Sequence, residues 1–226
     1  MQCLGCPASN ASRHRDHAMT FLKKIDHISY AVESGNIEKW AWFHIVVEGG
    51  TLIKRIDDVA PNGKSSMKIW CIDYGEFGIA LIEGIDREEK SQVTSFVERH
   101  GDHSCQHVAY DCYDLDGFID HMKTLGGHPR GEVLVQNDGF GILKQMFARG
   151  YASGHAGEAT FPEYCQRPVN EDAAQELEIT FSNLAGKGFY KQVQDAIDAG
   201  DEAPFFDFNH MPGDWQVPAA AEKTGR

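Results

Sequence analysis

The sequence predicts an α+β fold in which two β-α-β-β-β units pair to form one half-open barrel. Two observations support this prediction. The same order of strand-like and helix-like segments occurs twice, and both units open on a similar strand, Ile25–Val32 and Cys105–Asp111, with histidine at the third position. Repeated units of this kind pack side by side to bury a shared face. We therefore expect His27 and His107 to face one cavity.

The first unit, residues 21–86, follows this order. After the first strand, Ser34 and Gly35 precede a polar-apolar stretch that is typical of a capped helix. Three apolar, β-branched segments then predict strands. These segments are Gly50–Ile56, Ser65–Asp73 and Phe77–Glu83.

The second unit, residues 104–168, repeats the pattern after a connecting helix at 87–100. That helix has Val93, Phe96 and Val97 at the spacing of an amphipathic face. The second unit continues with a helix that ends at Gly126-Gly127 and with three more strands. We predict these elements at Leu115–Leu125, Glu132–Val135, Gly141–Ala148 and Thr160–Gln166, so that residues 21–168 form one domain.

Both ends of the chain are predicted to lie outside the domain formed by residues 21–168. Residues 1–20 carry Cys3 and Cys6, a spacing that can bind metal or undergo redox cycling, but no second ligand pair at zinc spacing accompanies them. We interpret this segment as a flexible arm. Residues 169–226 are predicted to form a helical extension and tail, with helices near 171–181 and 189–199 separated by a break at Gly186-Lys187-Gly188.

Charge and composition argue against several classes of protein. The chain has 34 acidic and 21 basic residues and a formal net charge of -13, so its field repels nucleic acid. No apolar run has the length of a membrane span, and the N-terminus lacks the apolar core of a secretory signal. Six cysteines are scattered through apolar segments, as small buried residues in a reducing compartment. We expect a cytoplasmic protein.

His27, His107 and Glu163 form the candidate metal site. The histidines hold matching positions in the two units, and Glu163 lies on the last predicted strand of the second unit. Two imidazoles and one carboxylate leave coordination positions open, which suits a non-haem Fe(II) site that binds substrate and O₂. Each residue alone has an ordinary structural explanation. Together, in matched positions, they indicate metal binding.

Several segments of the chain occur in the order known from one enzyme family. They are Ile25-Asp26-His27, Lys90-Ser91-Gln92-Val93, Cys105-Gln106-His107-Val108-Ala109, Gln145-Met146-Phe147, Phe161-Pro162-Glu163-Tyr164-Cys165-Gln166-Arg167 and Gly186-Lys187-Gly188-Phe189-Tyr190-Lys191. Over residues 21–199 the chain resembles the iron-binding C-terminal half of 4-hydroxyphenylpyruvate dioxygenase and hydroxymandelate synthase. That family has the vicinal-oxygen-chelate fold, so the resemblance implies this fold here.

The resemblance also implies roles for individual residues. His27, His107 and Glu163 fall on the iron ligands of the family. Gln92 and Gln145 fall on glutamines that line its substrate pocket, where an amide can orient an oxo-acid oxygen or instead bond to backbone. Phe189 falls on the helix that covers the cavity. It would contact substrate there or pack in the core.

The activity implied by the resemblance uses Fe(II), a small-molecule substrate and O₂. A 2-oxo acid of the aryl- or alkylpyruvate kind would chelate the iron, and its oxidative decarboxylation would be coupled to hydroxylation of the same molecule. Ile82 stands where the family commonly has a substrate-lining asparagine, and the loop at 148–160, which carries His155, also differs. The N-terminal module of the family is not in this sequence, and we therefore expect a homodimer.

Three alternatives stay open at this point. The same scaffold supports extradiol cleavage of a catechol-type ring. It also supports lyases and isomerases that use zinc, nickel or manganese with a fourth ligand from the first unit, near Ile82 and Glu83, for which Glu83 is the candidate. A third possibility is a metal-free binding module that sequesters a small molecule, as drug-resistance proteins of this fold do.

Overall fold

One eight-stranded sheet dominates the computed structural model, which describes residues 20–137, 142–152, 157–168, 183–201, 203 and 205. The first four strands are β1 (Leu22–Val32), β2 (Thr51–Ile56), β3 (Ser65–Asp73) and β4 (Gly78–Asp86). The others are β5 (Ser104–Cys112), β6 (Leu134–Asn137), β7 (Ile142–Phe147) and β8 (Phe161–Gln166).

Four α-helices accompany the strands within the described residues. They are α1 (Ile37–Trp42), which continues into a π-helical turn at Phe43–Val47, α2 (Gln92–His100), α3 (Leu115–Thr124) and α4 (Asn183–Asp198). Side-chain caps define the start of two of them. Ser91 accepts a hydrogen bond from the Val93 N–H at α2, and Asp114 accepts one from the Gly117 N–H at α3.

The order of the strands shows the internal duplication. It runs β2-β3-β4-β1-β5-β8-β7-β6, so each unit reads the same from its outer edge to the centre. Within each unit the first and last strands pair in parallel, and the two first strands, β1 and β5, meet antiparallel. Helix α2 connects the units. The predicted α+β fold with paired β-α-β-β-β units is confirmed.

The central pairing of β1 with β5 sets the positions of the two histidines. His27 lies opposite Ala109, and Ser29 lies opposite His107, so the histidines are diagonal neighbours on one face of the sheet. The pairing skips Asp26 on β1 and Gln106 on β5. A bulge of this kind re-aims side chains locally, and it occurs here directly before each histidine.

The two faces of the sheet are buried differently. On β4, Ala80 and Ile82 join the cluster that packs against α2 and α4, whereas Ile79 and Leu81 join the cluster under α1. This alternation follows from the period of two along a strand. The candidate metal site lies on the first of these faces.

Helix α4 differs from the sequence-based prediction. We predicted a break at Gly186-Lys187-Gly188, but α4 runs through these residues without interruption. A Cβ on Gly186 would lie 2.7 Å from Ile69 Cδ1, and one on Gly188 would lie 2.6 Å from Leu134 Cδ1. The prediction was wrong because these glycines allow close packing of the helix on the sheet, which outweighs their low helix propensity.

Some predicted features lie outside the described residues. They include the Cys3 and Cys6 arm, His155, the predicted helix at 171–181 and the chain after residue 205. Over the part of the chain that is described, none of the helices combines the length and apolar character that a membrane span requires.

Candidate metal centre

The side chains of His27, His107 and Glu163 converge on the face of the sheet that packs against α2 and α4. One potential ligand atom from each lies within 4.8 Å of the other two, and all three side chains are buried. Glu163 Oε2 lies 3.5 Å from His27 Nε2 and 3.4 Å from His107 Nε2. The imidazole rings are nearly perpendicular, at 82°, with centroids 5.6 Å apart. This arrangement can hold a metal ion.

The burial and hydrogen bonding of Glu163 Oε2 support the conclusion that the site can hold a metal ion. This oxygen is fully buried and accepts no hydrogen bond from the residues that are described. A buried carboxylate oxygen without a donor costs free energy unless a cation compensates it. A divalent cation between the three side chains would supply that compensation, so the donor set fits a metal.

The ionisation of the three side chains points the same way. Burial alone would lower the pKa of His27, but the carboxylates of Glu163 and Asp26 outweigh burial and raise it to about 9. Burial would raise the pKa of Glu163, but the two histidines lower it to about 2. For His107, burial dominates and lowers the pKa. In the metal-free protein a proton on His27 therefore provides the positive charge that Glu163 requires.

The residue before each histidine orients its ring. Asp26 Oδ1 lies 2.8 Å from His27 Nδ1, and Gln106 Oε1 lies 3.2 Å from His107 Nδ1. Both oxygens are acceptors, so each Nδ1 carries the hydrogen and each Nε2 is left to face Glu163. Outer partners of this type fix the tautomer of a metal-binding histidine.

Arg167 fixes Asp26 in turn. Its Nε and Nη2 donate to the two carboxylate oxygens of Asp26 at 2.8 and 2.7 Å. Burial would raise the pKa of Asp26, but this ion pair holds it well below its usual range. Asp26 therefore stays ionised beside His27.

A chain of amides positions the other oxygen of Glu163. Gln145 Nε2 donates to Glu163 Oε1 at 2.8 Å, and Gln136 Nε2 donates to Gln145 Oε1 at 2.6 Å. The chain crosses three neighbouring strands, β6, β7 and β8. It leaves Oε2 as the oxygen that faces the histidines.

The two predicted substrate-binding glutamines are both buried but lie in different surroundings. Gln145 is bonded to Glu163, as described above. Gln92 lies under α4, where its Nε2 donates to the Tyr190 carbonyl at 3.4 Å, and its Oε1 has no partner among the described residues. Neither lines the cavity beside the site. Their contact with substrate stays a prediction.

A cavity adjoins two of the three candidate ligands, His107 and Glu163. The first unit, the second unit and α4 all contribute to its walls. Its lining residues are Ser29, Met67, Ile69, Ala80 and Ile82 from the first unit, His107, Phe147 and Glu163 from the second, and Gly186 and Phe189 from α4. Of the predicted substrate contacts, Ile82 and Phe189 therefore lie on the cavity wall.

Phe189 is both a core residue and a cavity residue. Its ring centroid lies 4.8 Å from that of Phe147 and 5.4 Å from that of His107. The side chain is buried and belongs to the main core cluster. Helix α4 thus covers the site with an aromatic ring that touches a candidate ligand.

Glu83, the candidate fourth metal ligand from the sequence, has a different role in the structure. Its Oε2 accepts hydrogen bonds from the Gly35 and Ile37 N–H groups at 3.0 Å, at the start of α1, and its Oε1 pairs with Lys68. It is not part of the three-residue cluster. Glu83 therefore stabilises the helix on the opposite face of the sheet.

The position of the first unit that corresponds to Glu163 is Ala80. Ala109, two residues after His107, pairs with Glu163, and Ser29, two residues after His27, pairs with Ala80. The prediction that this position falls near Ile82 and Glu83 is wrong, because the sequence alone does not reveal the register in which the strands pair. An alanine provides no fourth ligand.

Comparison with solved structures identifies the fold. A mutant of 4-hydroxymandelate synthase from Streptomyces coelicolor matches with a TM-score of 0.60 and 20% identity, over 77% of this chain and 55% of that chain. The chain has the vicinal-oxygen-chelate fold. It spans about half the length of that synthase, so the likeness concerns the fold and not the activity of the whole protein.

Other structures match less well. A hypothetical protein from Bacillus halodurans has a TM-score of 0.49 and 19% identity, over 66% of this chain and 98% of that chain. Methylmalonyl-CoA epimerase from Mycobacterium tuberculosis has a TM-score of 0.45 and 16% identity, over 67% of this chain and 93% of that chain. No protein-family model matches the sequence.

Four residues around the site were not given a role from the sequence. They are Asp26, Gln106, Gln136 and Arg167. Two of them directly precede the histidines, and this shared position was the signal that could have revealed them. Gln136 and Arg167 become neighbours of the site only through strand pairing, which the sequence does not show.

Proposed function

We propose that this chain is a non-haem Fe(II)-dependent dioxygenase that acts on a 2-oxo acid by oxidative decarboxylation coupled to hydroxylation of the same substrate. The convergence of His27, His107 and Glu163 beside a cavity, which His107 and Glu163 line, carries the proposal. Two histidines and one carboxylate with open positions are typical of Fe(II) oxygenases. When bound, Fe(II) would supply a Lewis acid and the activation of O₂.

The surrounding residues prepare the ligands for this role. Asp26 and Gln106 hold the histidine tautomers, so that both Nε2 atoms face the site. Gln145 binds one oxygen of Glu163 and leaves the other free to bind the ion. Because these partners are buried, the ligand geometry is set before substrate enters.

The cavity supports an oxygenase by limiting water. Its walls are mainly apolar, and Phe147 and Phe189 lie next to the ligands. A site shielded from water protects reactive species from side reactions. The chain's own contribution to the reaction is thus to bind, orient and shield a small substrate together with O₂.

The absence of a carboxylate at position 80 favours an oxygenase over the lyase alternative. A lyase that needs a fourth protein ligand on the first unit would require it at the position of Ala80 or nearby. Within the described residues the candidate metal cluster contains three side chains only. Three ligands leave room for a chelating substrate and for O₂.

The test begins with the metal. Protein purified without added chelator should contain one iron per chain, or should bind one Fe(II) under nitrogen, and should then consume O₂ with 2-oxo acids. His107→Ala should abolish both. His44→Ala is the matched control, because His44 is also buried but bonds to Glu48 and His103 instead of to the site.

The outcomes separate the alternatives. Stoichiometric zinc or nickel with no O₂ uptake would support a lyase or isomerase, and a folded protein that binds no metal would support a binding module. Iron with O₂ uptake on catechols but not on 2-oxo acids would support extradiol cleavage. Any of these three results would overturn the proposed reaction.

A further inference from the structure

The two walls of the cavity have different chemistry, although they occupy equivalent positions in the two units. Ala80 corresponds to Glu163 by the pairing described above. The antiparallel pairs Cys71 with Ala80 and Phe147 with Glu163 extend this equivalence by two residues, so that Ile69 corresponds to Gln145. Glu163 and Gln145, the polar pair at the candidate metal site in the second unit, thus correspond to the apolar pair Ala80 and Ile69 in the first unit.

The wall from the first unit offers little for hydrogen bonding. Met67, Ile69, Ala80 and Ile82 are all buried and apolar. Ser29 provides the polar side chain on this wall, and its hydroxyl donates to the Ala80 carbonyl at 3.4 Å. A substrate group placed here therefore meets hydrocarbon on most sides.

Positive charge is also missing from this wall among the described lining residues. Lys68 lies between Met67 and Ile69 on β3, but it points to the other face and pairs with Glu83. Arg167 is engaged by Asp26. A second carboxylate on the substrate would find no cation in the described part of the cavity.

Helix α4 packs against this wall and contributes Gly186 and Phe189 to the lining of the cavity. Gly186 packs so tightly on Ile69 that a Cβ there would lie 2.7 Å from Cδ1. Phe189, one turn further along the helix, covers the side next to His107. Helix α4 therefore adds a glycine and an aromatic ring to the described lining of the cavity, and no polar side chain.

We propose that the substrate is a 2-oxo monocarboxylic acid whose tail carries neither a hydroxyl group nor a charge. This proposal rests on the proposed function, in which the oxo-acid group binds at the metal. The tail then lies against Met67, Ile69, Ala80 and Ile82. Against these four side chains a hydroxyl group would lose its bonds to water without replacement, and a carboxylate would lose far more.

Two matched pairs of acids test the proposal by binding alone. Phenylpyruvate and 4-hydroxyphenylpyruvate differ by one hydroxyl group, and 5-methyl-2-oxohexanoate and 2-oxoglutarate have the same heavy-atom skeleton and differ in the charge of the tail. Dissociation constants are measured by calorimetry with Fe(II)-loaded protein under nitrogen. The first member of each pair should bind roughly 5- to 150-fold more tightly, because leaving a buried polar group unpaired weakens binding by about that much.

A variant should shift this preference in a defined way. Ile69→Gln introduces an amide at the position equivalent to Gln145, and it should reduce the preference for phenylpyruvate over 4-hydroxyphenylpyruvate by about threefold or more. Ile69→Leu is the matched apolar control and should keep the preference. If Ile69→Gln does not fold, Ala80→Ser places a smaller polar group on the same wall and makes the same prediction.

The outcomes distinguish this proposal from the function it rests on. If 4-hydroxyphenylpyruvate or 2-oxoglutarate binds as tightly as its apolar counterpart, the tail assignment is overturned while the oxo-acid function stands. If the iron-loaded protein binds none of the four acids, both are overturned. An unchanged preference in folded polar variants would show that the tail does not contact this wall.

Discussion

The two units of the sheet share their backbone plan but differ at the residues that matter for chemistry. Each has a bulge directly before its histidine and an acceptor side chain on that bulge. The acceptor is the ionised Asp26 in the first unit and the neutral Gln106 in the second. Only the second unit has a carboxylate at the cavity-facing position of its last strand, at Glu163, where the first unit has Ala80. The carboxylate of the candidate metal site thus belongs to the second unit, and the equivalent position in the first unit is apolar.

Moving the carboxylate between the units should give the largest effect. Glu163→Ala should weaken Fe(II) binding by more than about 100-fold, because losing outer partners of ligands already costs roughly 10- to 100-fold. Adding Ala80→Glu to this variant places a carboxylate at the equivalent position and should restore binding by about tenfold or more. Competition with a chromophoric chelator under nitrogen measures both affinities.

The control for this experiment is Glu163→Ala with Ala80→Gln, which adds the same bulk without the charge. We expect no recovery from it. If the carboxylate variant is folded and also shows none, the two units are not equivalent around the ion.

The two acceptors that precede the histidines should differ in importance. Asp26→Asn should weaken Fe(II) binding by roughly 10- to 100-fold and should cost about 3–5 kcal/mol of stability, because it breaks the buried ion pair between Asp26 and Arg167. Gln106→Leu removes a neutral acceptor and should cost about 1–3 kcal/mol. Urea unfolding and metal titration of both variants test this order, and equal losses would contradict it.

The histidines themselves should titrate differently in the metal-free protein. The pKa of His27 is raised to about 9, so its contribution to stability is complete below its ordinary value of 6.5 and is lost as pH rises through about 9. The free energy of unfolding should fall over this range, by an amount on the order of 3 kcal/mol. The pKa of His107 is lowered, so the titration of His107 does not decrease the free energy of unfolding over this pH range.

Matched variants separate the two histidines. His27→Gln should flatten the pH dependence between 6.5 and 9, whereas His107→Gln should retain a decrease. Chemical denaturation at several pH values, in the presence of a chelator, provides the measurement. A flat curve for the unchanged protein would show that the proton on His27 does not balance Glu163.

The smallest expected effects concern the contacts of α4 with the two units. Gly186→Ala should lower stability by about 1–2 kcal/mol, because the added methyl meets the buried Ile69, although alanine favours the helix by about 1 kcal/mol. Gly188→Ala should cost less, since it meets the half-buried Leu134. Lys187→Ala, at an exposed position between them, is the control. Thermal unfolding would contradict this ranking if Gly188→Ala were the more damaging change.

Much of the fold could be predicted from periodicity. Strand β3 was predicted at its observed bounds, Ser65–Asp73, because its apolar run is closed by a clear turn signal. Strand β1 begins three residues earlier than expected, at Leu22, since lysines within it hide the pattern. Local sequence therefore locates the strands better than it locates their ends.

Features that depend on pairing between strands could not be predicted in the same way. The sequence indicated that His27, His107 and Glu163 act together, because they lie at matched or late positions of two repeats. It could not reveal that Ala80 is the equivalent of Glu163, nor that Gln136 reaches Glu163 through Gln145. Both facts depend on the register in which neighbouring strands pair, and this register cannot be derived from a single sequence.

The pairing of β1 with β5 has a consequence for assembly. Each half of the sheet supplies one imidazole, and His27 and His107 come together only when this central seam has formed in its correct register. Metal capture would therefore favour the fully joined molecule over any form in which the halves are separate or slipped. An ion bound by both histidines would link the two halves, and its uptake would report that both have docked.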